Sequence, residues 1–150
     1  MDINRIKKSI RNVPDFPKPG IQFKDITTLL QDKDAFSETI EAFYIAFKDK
    51  EIDVIVGIES RGFIFASPLS LRLGCRFVLA RKLGKLPRKT IAKEYSLEYG
   101  TAAIEIHTDA LRKGDKVLIV DDLLASGGTA KATGSVVKKL KGKIIGYAFL

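Results

Sequence analysis

The chain has 150 residues, of which 45% are hydrophobic and 29% are charged, and its formal net charge is +8. This composition is typical of one globular domain, and no apolar run approaches the ~18–20 residues that a membrane-spanning helix requires. The N-terminus also lacks the continuous apolar segment of a secretory signal. The only cysteine, Cys75, excludes an internal disulfide and is typical of a reducing compartment. We therefore expect a single cytoplasmic domain over residues 1–150.

The positive charge favours an anionic partner but does not identify it. Nucleic acid, an anionic membrane surface and a small phosphorylated ligand are all attracted by a positive field. One histidine and one cysteine make a zinc site implausible.

Two amphipathic helices are predicted near the N-terminus. The first helix is predicted by apolar residues at helical spacing, namely Ile3, Ile6, Ile10 and Val13. Asp2 is its N-cap, and the helix should end near Pro14. The segment PDFPKPG then forms a loop. Apolar residues recur at intervals of three and four from Asp34 onward, so a second helix should continue to about Lys48.

Four short, β-branched apolar runs are typical of parallel strands that are covered on both faces: DVIVGI at 53–58, RFVLA at 76–80, KVLIV at 116–120 and KIIGYAFL at 143–150. Helical stretches at 62–73 and about 129–141 fall between them. This alternation predicts right-handed βαβ units and an α/β fold. Between Arg81 and Asp115 the pattern changes to a basic loop followed by the alternating run AIEI. We expect this part to form a mobile flap with a small antiparallel excursion from the main sheet.

The strongest motif is VLIVDDLLASGGTA at 117–130, in which a buried strand ends in two acids and a loop of small residues opens a helix. In open α/β sheets ligands bind beyond the carboxyl ends of the strands, and a helix N-terminus favours a phosphate there. Glycines let the backbone approach closely, and hydroxyls can donate to phosphate oxygens. The predicted phosphate cradle consists of Ala125, Ser126, Gly127, Gly128 and Thr129.

The acids before this cradle need a partner other than phosphate. Asp121 and Asp122 can accept hydrogen bonds from the 2- and 3-hydroxyls of a sugar, and an acidic pair beside a phosphate cradle suits a phosphorylated ribose. The fingerprints of nucleoside-triphosphate and dinucleotide sites, G-x-x-x-x-G-K-[ST] and G-x-G-x-x-G, do not occur in the chain. A strand end followed by a helix cap is the purely structural alternative.

The motif at 117–130 resembles the phosphoribosyl pyrophosphate motif of the type I phosphoribosyltransferases, with Ser126 where adenine-specific members usually have Thr. Three further segments resemble the adenine branch of that family: PDFPKPGIQFKDITTLL at 14–30, GIESRGFIFASPLS at 57–70 and RKLGKLPRKTIAKEYSLEYG at 81–100. The resemblance implies the family's mainly parallel sheet flanked by helices, a flexible flap and a short N-terminal hood segment. It also implies a Mg²⁺-dependent reaction of adenine with phosphoribosyl pyrophosphate that gives AMP and pyrophosphate in purine salvage, and a homodimer. A membrane and nucleic acid are not expected as partners.

Site residues follow from the resemblance. Pyrophosphate is assigned to Glu59, Ser60, Arg61, Arg81, Lys82 and Lys85, with a cis peptide bond expected between Glu59 and Ser60. Adenine is assigned to Phe23, Lys24 and Arg61, with Phe23 stacking on the ring. Glu98 is assigned as the general acid/base, and Glu94 is its competitor. Mg²⁺ is expected on substrate oxygens, with Asp121 or Asp122 as candidates for help through water.

Two questions stay open at this point. Another purine specificity is a rival, although YSLEYG and GIESRGF argue against it, and a ligand- or RNA-binding relative with weak catalysis is compatible with the charge. Members of the family also continue beyond the position of Leu150 with an aliphatic residue on the second face of adenine. We expect that half of the base pocket to be missing here. A truncated chain, a partner subunit and weak adenine binding are equally compatible with this.

Overall fold

The computed structural model describes residues 3–97 and 100–150, which divide into two compact units. The first unit ends at Phe47 and the second runs from Lys48 to Leu150. No helix among the described residues is long and apolar enough to cross a membrane.

The first unit contains helix α1 (Ile3–Ser9), a hairpin of β1 (Arg11–Pro14) and β2 (Gln22–Asp25), and helices α2 (Thr27–Gln31) and α3 (Lys33–Phe47). Its buried apolar side chains are Ile6, Ile26, Leu29 and Ala35. The second predicted helix is confirmed as α3. Its start is capped by Asp32, whose carboxylate accepts the N–H groups of Asp34 and Ala35 at 3.0 and 3.1 Å.

The first predicted helix is too long, because α1 ends at Ser9 rather than near Pro14. Val13 lies in β1 and pairs with Phe23 of β2 in the antiparallel hairpin. Pairing with a strand ten residues away thus overrides the helical spacing of the apolar residues. The proposed N-cap, Asp2, lies outside the described residues.

The second unit is a six-stranded sheet with two helices. Its elements in chain order are β3 (Val54–Ile58), α4 (Gly62–Leu73), β4 (Arg76–Lys82), β5 (Thr90–Ser96), β6 (Thr101–His107), β7 (Lys116–Asp121), α5 (Gly128–Lys139) and β8 (Lys143–Phe149). The strand order is β5-β6-β4-β3-β7-β8. Strands β3, β4, β7 and β8 are parallel, as predicted, and β6 is antiparallel to both β4 and β5.

The hairpin of β5 and β6 therefore does not leave the main sheet. Arg81 and Lys82, at the end of β4, pair with Glu105 and Ile104 of β6, which extends the sheet at one edge. The expected antiparallel excursion is present, but it is continuous with the parallel strands because β4 is two residues longer than its apolar run.

The central strands carry the core. All five residues of β3 and four consecutive residues of β7 are buried. Val54, Val56 and Ile58 face α5, whereas Gly57 on the other face approaches Ala66 of α4. Because the two helices cover opposite faces, the loops after β3 and β7 meet at one edge of the sheet, where the parallel strands end.

Candidate active site

A cavity of about 290 Å³ lies at this carboxyl edge. Three segments form most of it: the loop between β3 and α4, the end of β4, and the loop between β7 and α5. Its lining residues are Glu59, Ser60, Arg61, Lys82, Tyr95, Ile104, Asp121, Asp122, Leu123, Leu124, Ala125, Ser126, Gly127, Gly128, Thr129 and Ala130. All seven residues assigned to ribose 5-phosphate are among them.

The predicted phosphate cradle is the loop that opens α5. Gly127 has a φ of +81°, in the left-handed region that favours glycine, and it stands immediately before the first helical residue. The Ser126 hydroxyl accepts the N–H of Gly128 at 3.4 Å. The helix N-terminus and its N–H groups therefore border the cavity, which is the arrangement that binds phosphate.

The second anion loop follows β3. The peptide bond between Glu59 and Ser60 is cis, as the resemblance implied. Helix α4 begins directly afterwards at Gly62, where a Cβ atom would lie 2.7 Å from the Val120 carbonyl oxygen and 3.1 Å from an Asp121 carboxylate oxygen. Glycine at this position lets the second anion loop contact the end of β7.

An ion pair joins the two loops. The Nε of Arg61 lies 2.9 Å from Oδ2 of Asp122, whose side chain is only 6% exposed. A buried carboxylate needs such a partner, since desolvation without one is costly. Asp122 therefore holds the Arg61 cation in the cavity.

Asp121 lies in a different electrostatic environment. Burial, first of all, and the neighbouring Asp122 carboxyl raise the pKa of Asp121 to about 7, although the N–H of Asp122 donates to it at 2.9 Å. A strand-end acid with such a pKa is typical of functional sites. Near neutral pH this carboxyl group can therefore exchange a proton when a ligand binds.

The predicted pyrophosphate residues separate into two groups. Ser60, Arg61 and Lys82 line the cavity, and Glu59 does so with its carboxylate turned to Arg81. The Arg81 guanidinium makes two hydrogen bonds of 3.1 Å to that carboxylate, which also accepts the N–H of Lys82 at 2.9 Å. Burial alone would raise the pKa of Glu59, but the Arg81 and Lys82 hydrogen bonds outweigh it and lower the pKa.

Arg81 and Lys85 line a different cavity, of about 570 Å³, together with Phe77, Val78, Leu79, Leu86, Pro87, Arg88, His107, Asp109 and Ala110. The Arg81 guanidinium also donates to the Lys85 carbonyl oxygen at 3.2 Å. Within the described part of the chain, these two cations thus line the second cavity rather than the first. Their assignment to pyrophosphate remains a prediction.

Sequence reasoning missed Glu105, which holds the basic loop in place. This carboxylate is 3% exposed and accepts the N–H groups of Lys85 and Leu86, both at 3.1 Å, and the Thr90 hydroxyl at 2.9 Å. An isolated acid on an alternating strand is typical of a solvent-facing position, so the sequence carried no signal for this role. Glu105 fixes the backbone from which Lys85 projects.

Replacing Glu105 with Gln should loosen this loop, because an amide offers one acceptor oxygen where the carboxylate offers two. We expect a loss of about 1–3 kcal/mol in the free energy of unfolding and faster hydrogen exchange at the Lys85 and Leu86 amides. Glu94→Gln is the matched control, since Glu94 is exposed on the adjacent strand β5. Equal exchange at both amides in the two variants would contradict the role of Glu105.

Further lining residues also escaped the sequence analysis. Tyr95 and Ile104 come from the β5–β6 hairpin, and Leu123, Leu124 and Ala130 flank the cradle. A Cβ atom on Gly128 would lie 3.4 Å from the Tyr95 ring, so the hairpin lies close to the start of α5. The YSLEYG segment that contains Tyr95 was the available signal.

The remaining assignments are two residues for adenine and the general acid/base. Phe23 and Lys24 belong to β2 of the first unit, where Phe23 is half-buried and packs edge-on against Phe16 with ring centroids 5.1 Å apart. Glu98 lies outside the described residues. Among the described residues, no three His, Cys, Asp or Glu side chains come together as a metal site.

Comparisons with known proteins identify the family of the chain. The model of the phosphoribosyl transferase domain matches residues 25–150. The chain is 57% identical over 145 residues to an adenine phosphoribosyltransferase of Halothermothrix orenii. The alignment covers 97% of this chain and 85% of the relative.

Solved structures give the same result. The adenine phosphoribosyltransferase of Thermoanaerobacter pseudethanolicus superimposes with a TM-score of 0.96 at 50% identity, over 99% of this chain and 87% of that one. The Saccharomyces cerevisiae enzyme, complexed with an imino-altritol bisphosphate and adenine, has a TM-score of 0.93 at 40% identity, over 97% and 85%. Through its cradle, its second anion loop and these likenesses, the chain belongs to the adenine phosphoribosyltransferase family.

Proposed function

We propose that this chain transfers the 5-phosphoribosyl group of phosphoribosyl pyrophosphate to adenine, which gives AMP and pyrophosphate. The observation that carries the proposal is the cavity itself, where a phosphate cradle, two strand-end acids and the cations Arg61 and Lys82 converge. In phosphoribosyl pyrophosphate, the cradle suits the 5-phosphate, the acids suit the ribose hydroxyls, and the cations suit the more highly charged pyrophosphate. The family relationship and the adenine-bound yeast structure support the choice of base.

Each part of the cavity has a role in this reaction. N–H groups and hydroxyls of residues 125–129 bind the 5-phosphate, and Asp121 and Asp122 accept the ribose hydroxyls. The bond from the anomeric carbon to pyrophosphate loosens to an oxocarbenium-like state before a nitrogen of adenine attacks that carbon. Pyrophosphate leaves with the bonding electrons, and Arg61 and Lys82 stabilise the charge that develops on it.

Magnesium fits the same residues. Mg²⁺ in proteins is commonly bound by one or two carboxylates together with substrate phosphates. The described part of the cavity offers two adjacent carboxylates, Asp121 and Asp122, and no larger cluster. Asp121 or Asp122 would help to hold the ion through water, and the ion would neutralise charge on the diphosphate and favour the ionised form of Asp121.

Adenine is bound by the residues assigned from the resemblance. Phe23 stacks on the ring, a contact worth about 1–3 kcal/mol per base. Lys24 and Arg61 contribute polar contacts, and Glu98 moves the proton of the purine ring as the new bond forms. Arg81 and Lys85 complete the pyrophosphate site in the substrate complex.

Adenine-dependent release of pyrophosphate from phosphoribosyl pyrophosphate tests this function directly. Glu98→Gln should lower kcat about 10²–10⁴-fold, because proton transfer by a positioned side chain contributes about that much. Glu94→Gln in the same segment is the control and should leave kcat unchanged. If hypoxanthine, guanine or xanthine proved a better acceptor than adenine, or if Glu94 alone mattered, the assignment would be wrong.

We also propose a homodimer, formed through residues 61–88. Apolar side chains in this segment are unusually exposed, with Leu71 at 83% and Leu83 at 60%. Large apolar side chains that are exposed on one protomer can be buried in an interface between two copies. Sedimentation at micromolar concentration should show a dimer, and Leu71→Lys with Leu83→Lys should shift it to monomer. Fully active wild-type monomer at that concentration would contradict the proposal.

We also propose that the protein is cytoplasmic. Cys75 is half-buried, and burial raises the pKa of its thiol, which lowers the thiolate fraction that reacts with oxidants. A chain with one cysteine cannot form an internal disulfide, which suits a reducing compartment.

A further inference from the structure

A surface of exposed cations lies far from the cavity, and we call it the lysine patch. Its members are Arg112, Lys113, Lys138, Lys139, Lys141 and Lys143, all of which are exposed. Arg112 and Lys113 lie in the turn before β7, Lys138 and Lys139 in the last turn of α5, Lys141 in the turn before β8, and Lys143 at the start of β8. All six are thus near the points where the parallel strands β7 and β8 begin. The cavity lies where the strands end, so the patch is at the opposite edge of the sheet.

Backbone hydrogen bonds join the two turns of the patch. The N–H of Gly114 donates to the carbonyl oxygen of Lys141 at 2.8 Å, and the N–H of Lys143 donates to that of Asp115 at 2.7 Å. Cations from separate parts of the chain are therefore presented side by side on regular structure.

Few acids offset this charge. Residues 123–150 contain five lysines and no Asp or Glu. Across residues 3–97 and 100–150, none of the six patch side chains forms an ion pair with a carboxylate. The nearby Asp115 is buried, lies 2.6 Å from Arg76 and accepts the N–H of Arg112. The patch thus has a local excess of positive charge.

Helix stabilisation explains only part of the patch. Lys138 and Lys139 occupy the last turn of α5, where cations interact favourably with the helix dipole. Lys7 and Lys8 occupy the same position in α1. The Lys138–Lys139 pair and the Lys7–Lys8 pair therefore interact with the dipoles of their helices in the same way.

Lys141 is different, because its backbone favours another residue. The N–H of Lys141 donates to Lys138 and that of Gly142 donates to Val137, which closes the helix in a Schellman motif. Lys141 takes the left-handed position of this motif, with φ +64°, where glycine is the usual residue. The preference of the backbone therefore does not explain a lysine at this position.

The chemistry of the patch favours phosphodiesters over lipid. Leu111 and Leu140, which lie in the same turns, are both buried, so they cannot enter a bilayer as interfacial anchors do. Lysine acts as a flexible point charge, which suits contacts with phosphates without reading bases. We propose that the lysine patch binds the phosphate backbone of a nucleic acid, independently of its sequence and simultaneously with substrates in the cavity.

The test uses the full chain with fluorescein-labelled 20-nucleotide oligo(U) RNA and oligo(dT) DNA, titrated by anisotropy at several salt concentrations. Each lost phosphate contact reduces the slope of log K against log salt by about 0.7 for single strands. Lys138→Gln with Lys139→Gln should reduce the slope by about 1.4 on whichever strand binds. Lys7→Gln with Lys8→Gln removes the same charge and should leave the slope unchanged. Equal effects of the two pairs would overturn the patch as a site.

Lys141→Gly separates binding from stability. It should weaken binding and reduce the salt slope by about 0.7, yet raise the thermal midpoint by about 2–4 °C, because glycine suits the left-handed backbone. Adenine-dependent turnover should be unchanged in all patch variants. Unchanged RNA and DNA affinity in Lys141→Gly would overturn the proposal, as would binding to phosphatidylserine vesicles but to neither strand.

Discussion

Replacing Asp121 with Asn is expected to remove most of the turnover and, at the same time, to stabilise the ligand-free protein above pH 7. The turnover falls because an amide cannot carry the negative charge that accepts ribose hydroxyls and supports the developing positive charge on the sugar. A loss of at least about 10²-fold in kcat is typical when one such electrostatic group is removed.

The stability gain follows from the pKa of Asp121. Burial and Asp122 raise this pKa from 3.8 to about 7, so the folded state binds a proton more tightly than the unfolded state does. Any stability linked to that proton is fully present below about pH 4 and is lost as the pH rises through 7. The neutral Asn escapes this loss, and we expect a gain of roughly 1–3 kcal/mol at pH 8 that shrinks toward pH 4.

Urea unfolding at pH 4.5 and pH 8 measures both arms of this prediction. Asp122→Asn is the matched comparison, because it removes the buried partner of Arg61 and should destabilise the protein rather than stabilise it. If Asp121→Asn and Asp122→Asn shifted stability in the same direction at pH 8, the electrostatic assignment of the two acids would be wrong.

Gly62→Ala should destabilise the protein by about 1–3 kcal/mol, as overpacking of a rigid site does. The new Cβ atom would lie 2.7 Å from the Val120 carbonyl oxygen, which is main chain at the end of a central strand and cannot move away cheaply. The anion loop and the end of β7 must then separate. The Arg61–Asp122 ion pair joins these two segments, so turnover should also fall.

Gly128→Ala provides the matched control, since Gly128 is likewise the first residue of a helix beside the cavity. Its Cβ atom would make an ordinary contact of 3.4 Å with the Tyr95 ring. Thermal unfolding should therefore show a lower midpoint for Gly62→Ala and a nearly unchanged one for Gly128→Ala. Equal midpoints would show that the approach of α4 to β7 is not tight.

The sequence by itself determined the parallel strands and the loop of small residues that opens α5. Continuous β-branched runs such as VIVGI and VLIV predict parallel strands, because apolar side chains at consecutive positions indicate that both faces of the strand are buried. The cradle at 125–129 is equally local, since a strand end, small residues and a helix start lie within one segment. Patterns contained in a dozen consecutive residues are accessible without tertiary information.

Only the tertiary structure decided how charged residues are paired. Arg81 and Glu59, which the sequence analysis assigned together to pyrophosphate, bind each other across two strands. Glu105, on an alternating strand, is buried because the basic loop folds over it. These contacts join residues about 20 positions apart. The sequence does not distinguish a charged side chain that faces solvent from one that is paired. Its pairing and pKa depend on distance and burial, which only the packed fold determines.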